Sequence, residues 1–220
     1  MIKAVLFDFD ETLQDRTEAF LKYARCFMDD FMPNLTCEEK LKRIDDMVAT
    51  GGGGYVDRDW WYPFLIEKWG WQNAPDISVL KDHYIKKLGD FDTIFDNSAE
   101  TLIQLKKRGY KVGIITNGPS YLQNHKLDNS GLRQYLDVAI VGGDFDLAKP
   151  DKQIFDLTAE KLNVKNNECV YVGDHPINDI EGALNSGMSA IRMNWGWFKN
   201  QKLNQGVPVI DDIIDVLKYV

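Results

Sequence analysis

The sequence is short of thiols, of histidines and of positive charge, and each shortage excludes something. Its 3 cysteines, Cys26, Cys37 and Cys169, are scattered and show no CxxC spacing. Such a set makes neither a disulfide framework nor a thiolate knuckle, and implies reduced, partly buried thiols. Of the 3 histidines, His83 and His125 stand in no ligand pattern and are expected to be ordinary helix residues. No apolar run reaches membrane length, and no basic stretch followed by a signal-type apolar segment opens the chain, so a soluble cytoplasmic protein is expected. Lys plus Arg number 26 against 34 Asp plus Glu, a net charge of −8. That deficit argues against non-specific binding to nucleic acid or to an anionic membrane. A phosphate-bearing ligand would have to find its positive partners locally.

What is present starts at the N-terminus. Ile2 to Phe7 is a short, mostly apolar run of strand composition. It delivers Asp8-Phe9-Asp10-Glu11-Thr12-Leu13 at its C-terminal end. Two carboxylates so close repel one another and call for a cation, a shared proton or both. Mg²⁺ is the natural cation for oxygen ligands beside phosphates. In an extended chain Asp8 and Asp10 would share one side, whereas a bend after Asp8 would separate them. A plain strand-end turn is the bland alternative.

From Arg16 to about Phe95 the pattern is helical. Phe20, Ala24, Phe27 and Phe31 recur at helical spacing, and Thr36 with Glu39 forms a capping-box pattern. Gly51 to Gly54 is expected to forbid regular structure and form a mobile loop. An aromatic-rich piece holding Trp60, Trp61, Phe64, Trp69 and Trp71 follows, with Pro63 near a helix start or break. The aromatics are assigned to the core of a small helical module. The alternative is that Trp60, Trp61 and the glycine loop line a substrate pocket. From about Asn97 helix and strand alternate, with strands over 111–116, 137–141, 169–173 and 189–193. Pro150 is expected near the first turn of a helix running to Leu162, and 209–218 to pass from a strand end into a terminal helix.

Alternating strand and helix implies an α/β fold, a parallel sheet of five or more strands with helices on both faces. The helical module interrupts this pattern and reads as an insertion. Polar residues then fall just past four strand ends or the segments after them: Asp8 and Asp10; Thr116 and Asn117; Lys149; Asp174 and Asp179. In a parallel sheet these points share one edge.

The ordered set resembles the four signature motifs of the haloacid dehalogenase-like phosphohydrolase superfamily. The first is Asp8-Phe9-Asp10-Glu11-Thr12-Leu13, the second Thr116-Asn117-Gly118, the third Lys149-Pro150, and the fourth Gly173-Asp174-His175-Pro176-Ile177-Asn178-Asp179. The resemblance covers nearly the whole chain. It implies a Rossmann-like three-layer core domain over 1–14 and 97–220, and an inserted α-helical cap over 15–96 that opens and closes over the site. It implies a Mg²⁺-dependent phosphatase acting on a small phosphate monoester, such as a nucleotide, a flavin mononucleotide-like compound or a sugar phosphate. Asp8 would be the nucleophile that forms an aspartyl-phosphate, and Asp10 the general acid and then base. Mg²⁺ would be held by Asp8, Asp174 and the Asp10 backbone carbonyl, with Asp179 orienting metal-bound water or Lys149. Thr116, Asn117 and Lys149 would bind the phosphoryl oxygens, Lys149 also neutralising charge on the nucleophile.

A phosphomutase on the same scaffold and a non-catalytic ligand-binding protein remain alternatives. Asp10 argues against halide chemistry, because a halide leaves without a proton. The superfamily often has glycine where Glu11 stands, and the Glu11 side chain is expected to point to solvent. His175 is expected to shape its loop. Lys126-Leu127, Gly131-Leu132 and Tyr135 resemble the corresponding helix and turn of nucleotidase-like members. Whether the protein is monomeric or dimeric stays open.

Overall fold

The computed structural model describes residues 1–201 and 206–220. The chain divides into two compact units, Met1–Arg16 with Asp92–Val220, and Thr17–Phe91. The divisions thus fall at 16/17 and 91/92, where 14/15 and 96/97 were expected.

The first unit is built on β1 (Ala4–Phe7), β2 (Lys111–Thr116), β3 (Val138–Val141), β4 (Cys169–Gly173), β5 (Ser189–Met193) and β6 (Val209–Ile210). They form one sheet in the order β3-β2-β1-β4-β5-β6, and every pairing is parallel. Alternation along β1 sends Val5 and Phe7 to one face and Ala4 and Leu6 to the other, into two separate apolar clusters. Strands buried on both faces need apolar residues at nearly every position, which is why β1 is a continuous apolar run. The chain moves outward from β1 through β2 to β3, then returns to lay β4 on the other flank of β1. The C-terminal ends of β1 and β4 therefore flank the point where strand order reverses, the place where open α/β sheets bind ligands.

Helices of the second unit are α1 (Arg16–Phe31), whose first residue belongs to the sheet unit, α2 (Cys37–Thr50), α3 (Arg58–Trp69) and α4 (Ile77–Lys87). The capping box forms at α2, with Thr36 Oγ1 accepting from Glu39 N–H and Glu39 accepting from Thr36 N–H at 2.9 Å. Trp61 is fully buried, and its indole N–H donates to Thr50 Oγ1 at 2.9 Å, so it belongs to this unit's own core. Trp60 lies exposed and stacks on Phe64.

Two local expectations fail here. Gly52–Gly54 makes a short 3-10 turn that is kinked where Gly53 leaves the helical region for positive φ (58°), with Gly54 following at 100°. Pro63 sits inside α3, which Asp57 caps and which runs on to Trp69. His83 lies within α4, as expected, and its ring contacts both Tyr23 and Asp30.

The sheet unit continues with α5 (Ser98–Lys107), α6 (Ser120–Asn129), the single turn α7 (Gly142–Phe145), α8 (Lys152–Lys161) and α9 (Gly182–Asn185). Asp151 caps α8 by accepting from Gln153 N–H, so Pro150 precedes the cap and lies outside the first turn. The C-terminal segment has only the two residues of β6 and a 3-10 helix, Ile213–Lys218. The two segments where the chain leaves and re-enters this unit pair with one another: Asp15 N–H donates to Thr93 carbonyl at 2.7 Å and Phe95 N–H to Leu13 carbonyl at 3.1 Å.

Candidate active site

β1 carries Asp8 past the sheet edge, where its backbone N–H still donates to Val172 carbonyl of β4 at 2.8 Å. The chain then turns sharply. Leu13 and Gln14 N–H both donate to Phe9 carbonyl, and Glu11 takes the left-handed conformation, φ 60°. The turn parts the two carboxylates. Asp8 faces Lys149, whose ammonium donates to Asp8 Oδ1 at 2.7 Å, to Asp179 Oδ1 at 2.7 Å and to Tyr171 hydroxyl at 2.8 Å. Asp10 instead faces α6, where Lys126 contacts its Oδ1 and Gln123 donates to its Oδ2 at 3.1 Å. Of the two sequence alternatives for this pair, the bend holds.

Glu11 is buried, contrary to the solvent-facing expectation. Its side chain lies where a Cβ on Gly196 would fall, 2.8–3.0 Å from three Glu11 carbons, so the segment after β5 packs over it.

Asp174 and Asp179 come from the end of β4. The first turn after β4 is π-helical, Pro176–Glu181, and His175 caps it by accepting from Ile177 and Asn178 N–H, both at 3.1 Å. His175 thus shapes its loop, as expected. Asp179 reaches back so far that a Cβ on Gly173 would sit 2.4 Å from its carboxylate carbon. Only glycine fits there, which ties the Gly-Asp start of the motif to the aspartate that ends it. Carboxylate oxygens of Asp8, Asp174 and Asp179 lie within 4.8 Å of one another.

Three buried carboxylates against one ammonium set the electrostatics. Among protein groups alone, burial pushes the Asp8 carboxyl up to about 7, with Lys149 opposing and Asp179 reinforcing the rise. Burial, with the charges of Asp179 and Asp8, holds Asp174 well above the ordinary range. Burial works against the Lys149 ammonium, yet Asp179 and Asp8 keep it charged, above the usual lysine range. Burial would likewise raise Asp10, but Lys126 and Arg16, with hydrogen bonds from Lys126 and Gln123, hold it below the usual range.

Asp174 Oδ1 is buried and has no hydrogen-bond donor among the described residues. A hard divalent cation wants a close set of carboxylate oxygens with one still lacking a donor. The residues present therefore fit Mg²⁺.

Thr116 is buried at the end of β2, and its Oγ1 contacts Gln123. The Asn117 side chain clamps the Lys149 backbone, accepting from Lys149 N–H at 2.8 Å and donating to Lys149 carbonyl at 2.9 Å. Asn117 thus positions the lysine. Every sequence-predicted residue lies along the rim formed by the ends of β1, β2 and β4 and the turn before α8. Gln123, Lys126 and Tyr171 were not foreseen. Gln123 and Lys126 are one helical turn apart and buried beside Leu122 and Leu127, a polar pair on an apolar face. Tyr171 stands two residues before Gly173 on an apolar strand, and only its hydroxyl hints at a partner.

The haloacid dehalogenase-like hydrolase family matches residues 5–193. The chain belongs to this family. It is a hydrolase, and its curated relatives include phosphatases. A glyceraldehyde 3-phosphate phosphatase of Methanothermobacter thermautotrophicus is 33% identical over 97% of each chain. The pyrimidine 5′-nucleotidase YjjG of Escherichia coli is 28% identical over 86% of this chain and 85% of its own. Among solved structures, the HAD-hydrolase YfnB of Bacillus subtilis, bound to magnesium, superposes with a TM-score of 0.79 at 23% identity, covering 99% of this chain and 98% of its own. That likeness concerns the fold. Among the described residues no helix is long and apolar enough to cross a membrane.

Proposed function

We propose that this HAD-family hydrolase is a Mg²⁺-dependent phosphatase of small phosphate monoesters that works through an aspartyl-phosphate on Asp8. The observation that carries this reading is the buried set of Asp8, Asp174 and Asp179 around Lys149, with Asp174 Oδ1 lacking a donor among the described residues. Asp8, Asp174 and the Asp10 backbone carbonyl would hold the ion, and Asp179 would fix Lys149 and metal-bound water. When bound, Mg²⁺ would offset the repulsion among the carboxylates, keep Asp8 ionised and draw charge from the phosphoryl oxygens.

Asp8 attacks phosphorus in line and displaces the alcohol. Asp10, off the metal and aimed by Gln123 and Lys126, gives a proton to the leaving oxygen. It then takes one from the water that cleaves the acyl phosphate. Lys149 and Thr116, with Asn117 N–H, balance charge on the equatorial oxygens.

For the substrate, three relatives sharing 28–33% identity over nearly their full length are glyceraldehyde 3-phosphate phosphatases. This supports a short sugar phosphate ahead of a nucleotide; the nucleotidase relative supports the second reading. The test is phosphate release from triose, sugar, flavin and nucleoside phosphates with Mg²⁺. The Asp8→Asn variant is expected to lower kcat by more than about 10⁴-fold. Release from none of the panel, or retention of the phosphoryl group on product, would overturn the phosphatase reading.

A further inference from the structure

The helical unit holds a second constellation of metal-ligand type, composed of residues that the phosphatase chemistry does not use. Cys26 and Asp30 stand one turn apart on α1, on the same helix face. His83 reaches them from α4. Cys26 Sγ lies 3.3 Å from Asp30 Oδ2, and His83 Nε2 lies 3.0 Å from that same oxygen. All three donor atoms fall within 4.8 Å of one another. We propose that Cys26, Asp30 and His83 bind a thiophilic divalent cation of the zinc class, with solvent completing the coordination.

The spacing suits such an ion. Donors about 2.0–2.3 Å from a tetrahedral centre stand roughly 3.3–3.7 Å apart, so the two separations from Asp30 need open by only a few tenths of an ångström. One sulfur, one imidazole nitrogen and one carboxylate oxygen favour zinc over magnesium or calcium, which take oxygen sets.

The imidazole is held for this task. His83 Nδ1 lies 3.3 Å from the Tyr23 hydroxyl, which in turn lies 3.4 Å from the Tyr62 hydroxyl. Phe31 packs on the ring at a centroid distance of 4.8 Å. If Nδ1–H donates to Tyr23, the Nε2 lone pair faces the lone pairs of Asp30, and a proton or a cation must stand between them. Cys26 and His83 are half-buried and Asp30 exposed, so the site has walls and an entrance. Asp29 adds negative charge nearby, and Lys87 opposes it. On binding, the Cys26 thiol gives its proton to solvent as the metal–sulfur bond forms. The ion would tie α1 to α4 and stabilise the helical unit by mass action.

The experiment uses the full chain, stripped by chelator, reduced, and titrated with Co²⁺ in saturating Mg²⁺. A thiolate-to-cobalt absorption in the near ultraviolet is expected at one equivalent. It should vanish in Cys26→Ser and His83→Ala, and persist in Cys37→Ser and Asp8→Asn. Retention in Asp8→Asn separates this site from the acidic pocket, which offers oxygens alone. Zn²⁺ should raise Tm by several degrees in wild type and not in Cys26→Ser. It should also protect one thiol from a disulfide reagent while exposed Cys37 still reacts. Absence of the absorption in folded wild type, or its survival in Cys26→Ser, would overturn the proposal and leave a hydrogen-bonded His83–Asp30 pair only.

Discussion

Asp174 is the residue whose surroundings ask most for something beyond the protein. Its carboxylate shares a buried site with Asp8 and Asp179 and receives no donor at Oδ1 among the described residues. Removing its charge relieves repulsion and removes a ligand together. Asp174→Asn is therefore expected to melt higher than wild type in chelator at pH 8, by about 1–3 kcal/mol. It should also lose the gain that Mg²⁺ gives wild type. Thermal melts with and without Mg²⁺ check both signs, and a destabilised variant that still responds to Mg²⁺ would contradict the assignment. Asp10 poses the complementary case. A general acid must carry a proton, yet Lys126 favours the ionised form. Lys126→Met is expected to raise the Asp10 pKa, because burial then acts unopposed by that ammonium. The alkaline limb of kcat/KM should move to higher pH, and the plateau should fall toward the roughly 10²-fold expected for a misaimed acid. The sequence makes the ligand-type aspartates legible because each closes an apolar strand. It hides Lys126 because a buried lysine inside an ordinary helix looks like any other until its partner across 116 residues is known.

At the scale of elements, strands were legible nearly to the residue, since two-faced burial forces an unbroken apolar run. Boundaries set by side-chain capping were less so: the start of α8 depends on Asp151 accepting from Gln153 N–H and not on the proline before it. The glycine run misleads for a related reason. Glycine permits the positive-φ kink of an ordered turn as readily as it permits disorder, and composition does not choose between them.

The paired crossing segments carry a pH signature of their own. Asp92 contacts Gln14 across the pair, and burial pushes its carboxyl from 3.8 up to about 7. The folded state thus prefers Asp92 protonated. The stability this contributes is complete below pH 3.8 and is lost as pH rises through about 7. Asp92→Asn keeps an uncharged side chain at all pH. It is expected to exceed wild type by roughly 1–3 kcal/mol at pH 8, allowing for partial exposure, and by little at pH 4. Denaturant melts at the two pH values measure the difference.

For the whole molecule, the division into two units follows from where each buries its apolar residues. Two clusters cover the faces of the sheet, while Trp61, Tyr62 and Tyr23 gather with Phe20 and Phe27 in the helical unit. The sequence suggests an insertion because β1 precedes the helices and its partners follow them. Backbone hydrogen bonds between the two crossing segments leave no trace in composition. That arrangement has a consequence for biosynthesis. β1 is made first, but its neighbours β2 and β4 start only at Lys111 and Cys169. Residues 17–91 form one uninterrupted stretch whose internal contacts span no more than that segment, and shorter separations close faster than longer ones. On the ribosome, then, the helical unit is expected to gain protease resistance while β1 still waits for its partners, and arrested nascent chains of increasing length would reveal that order.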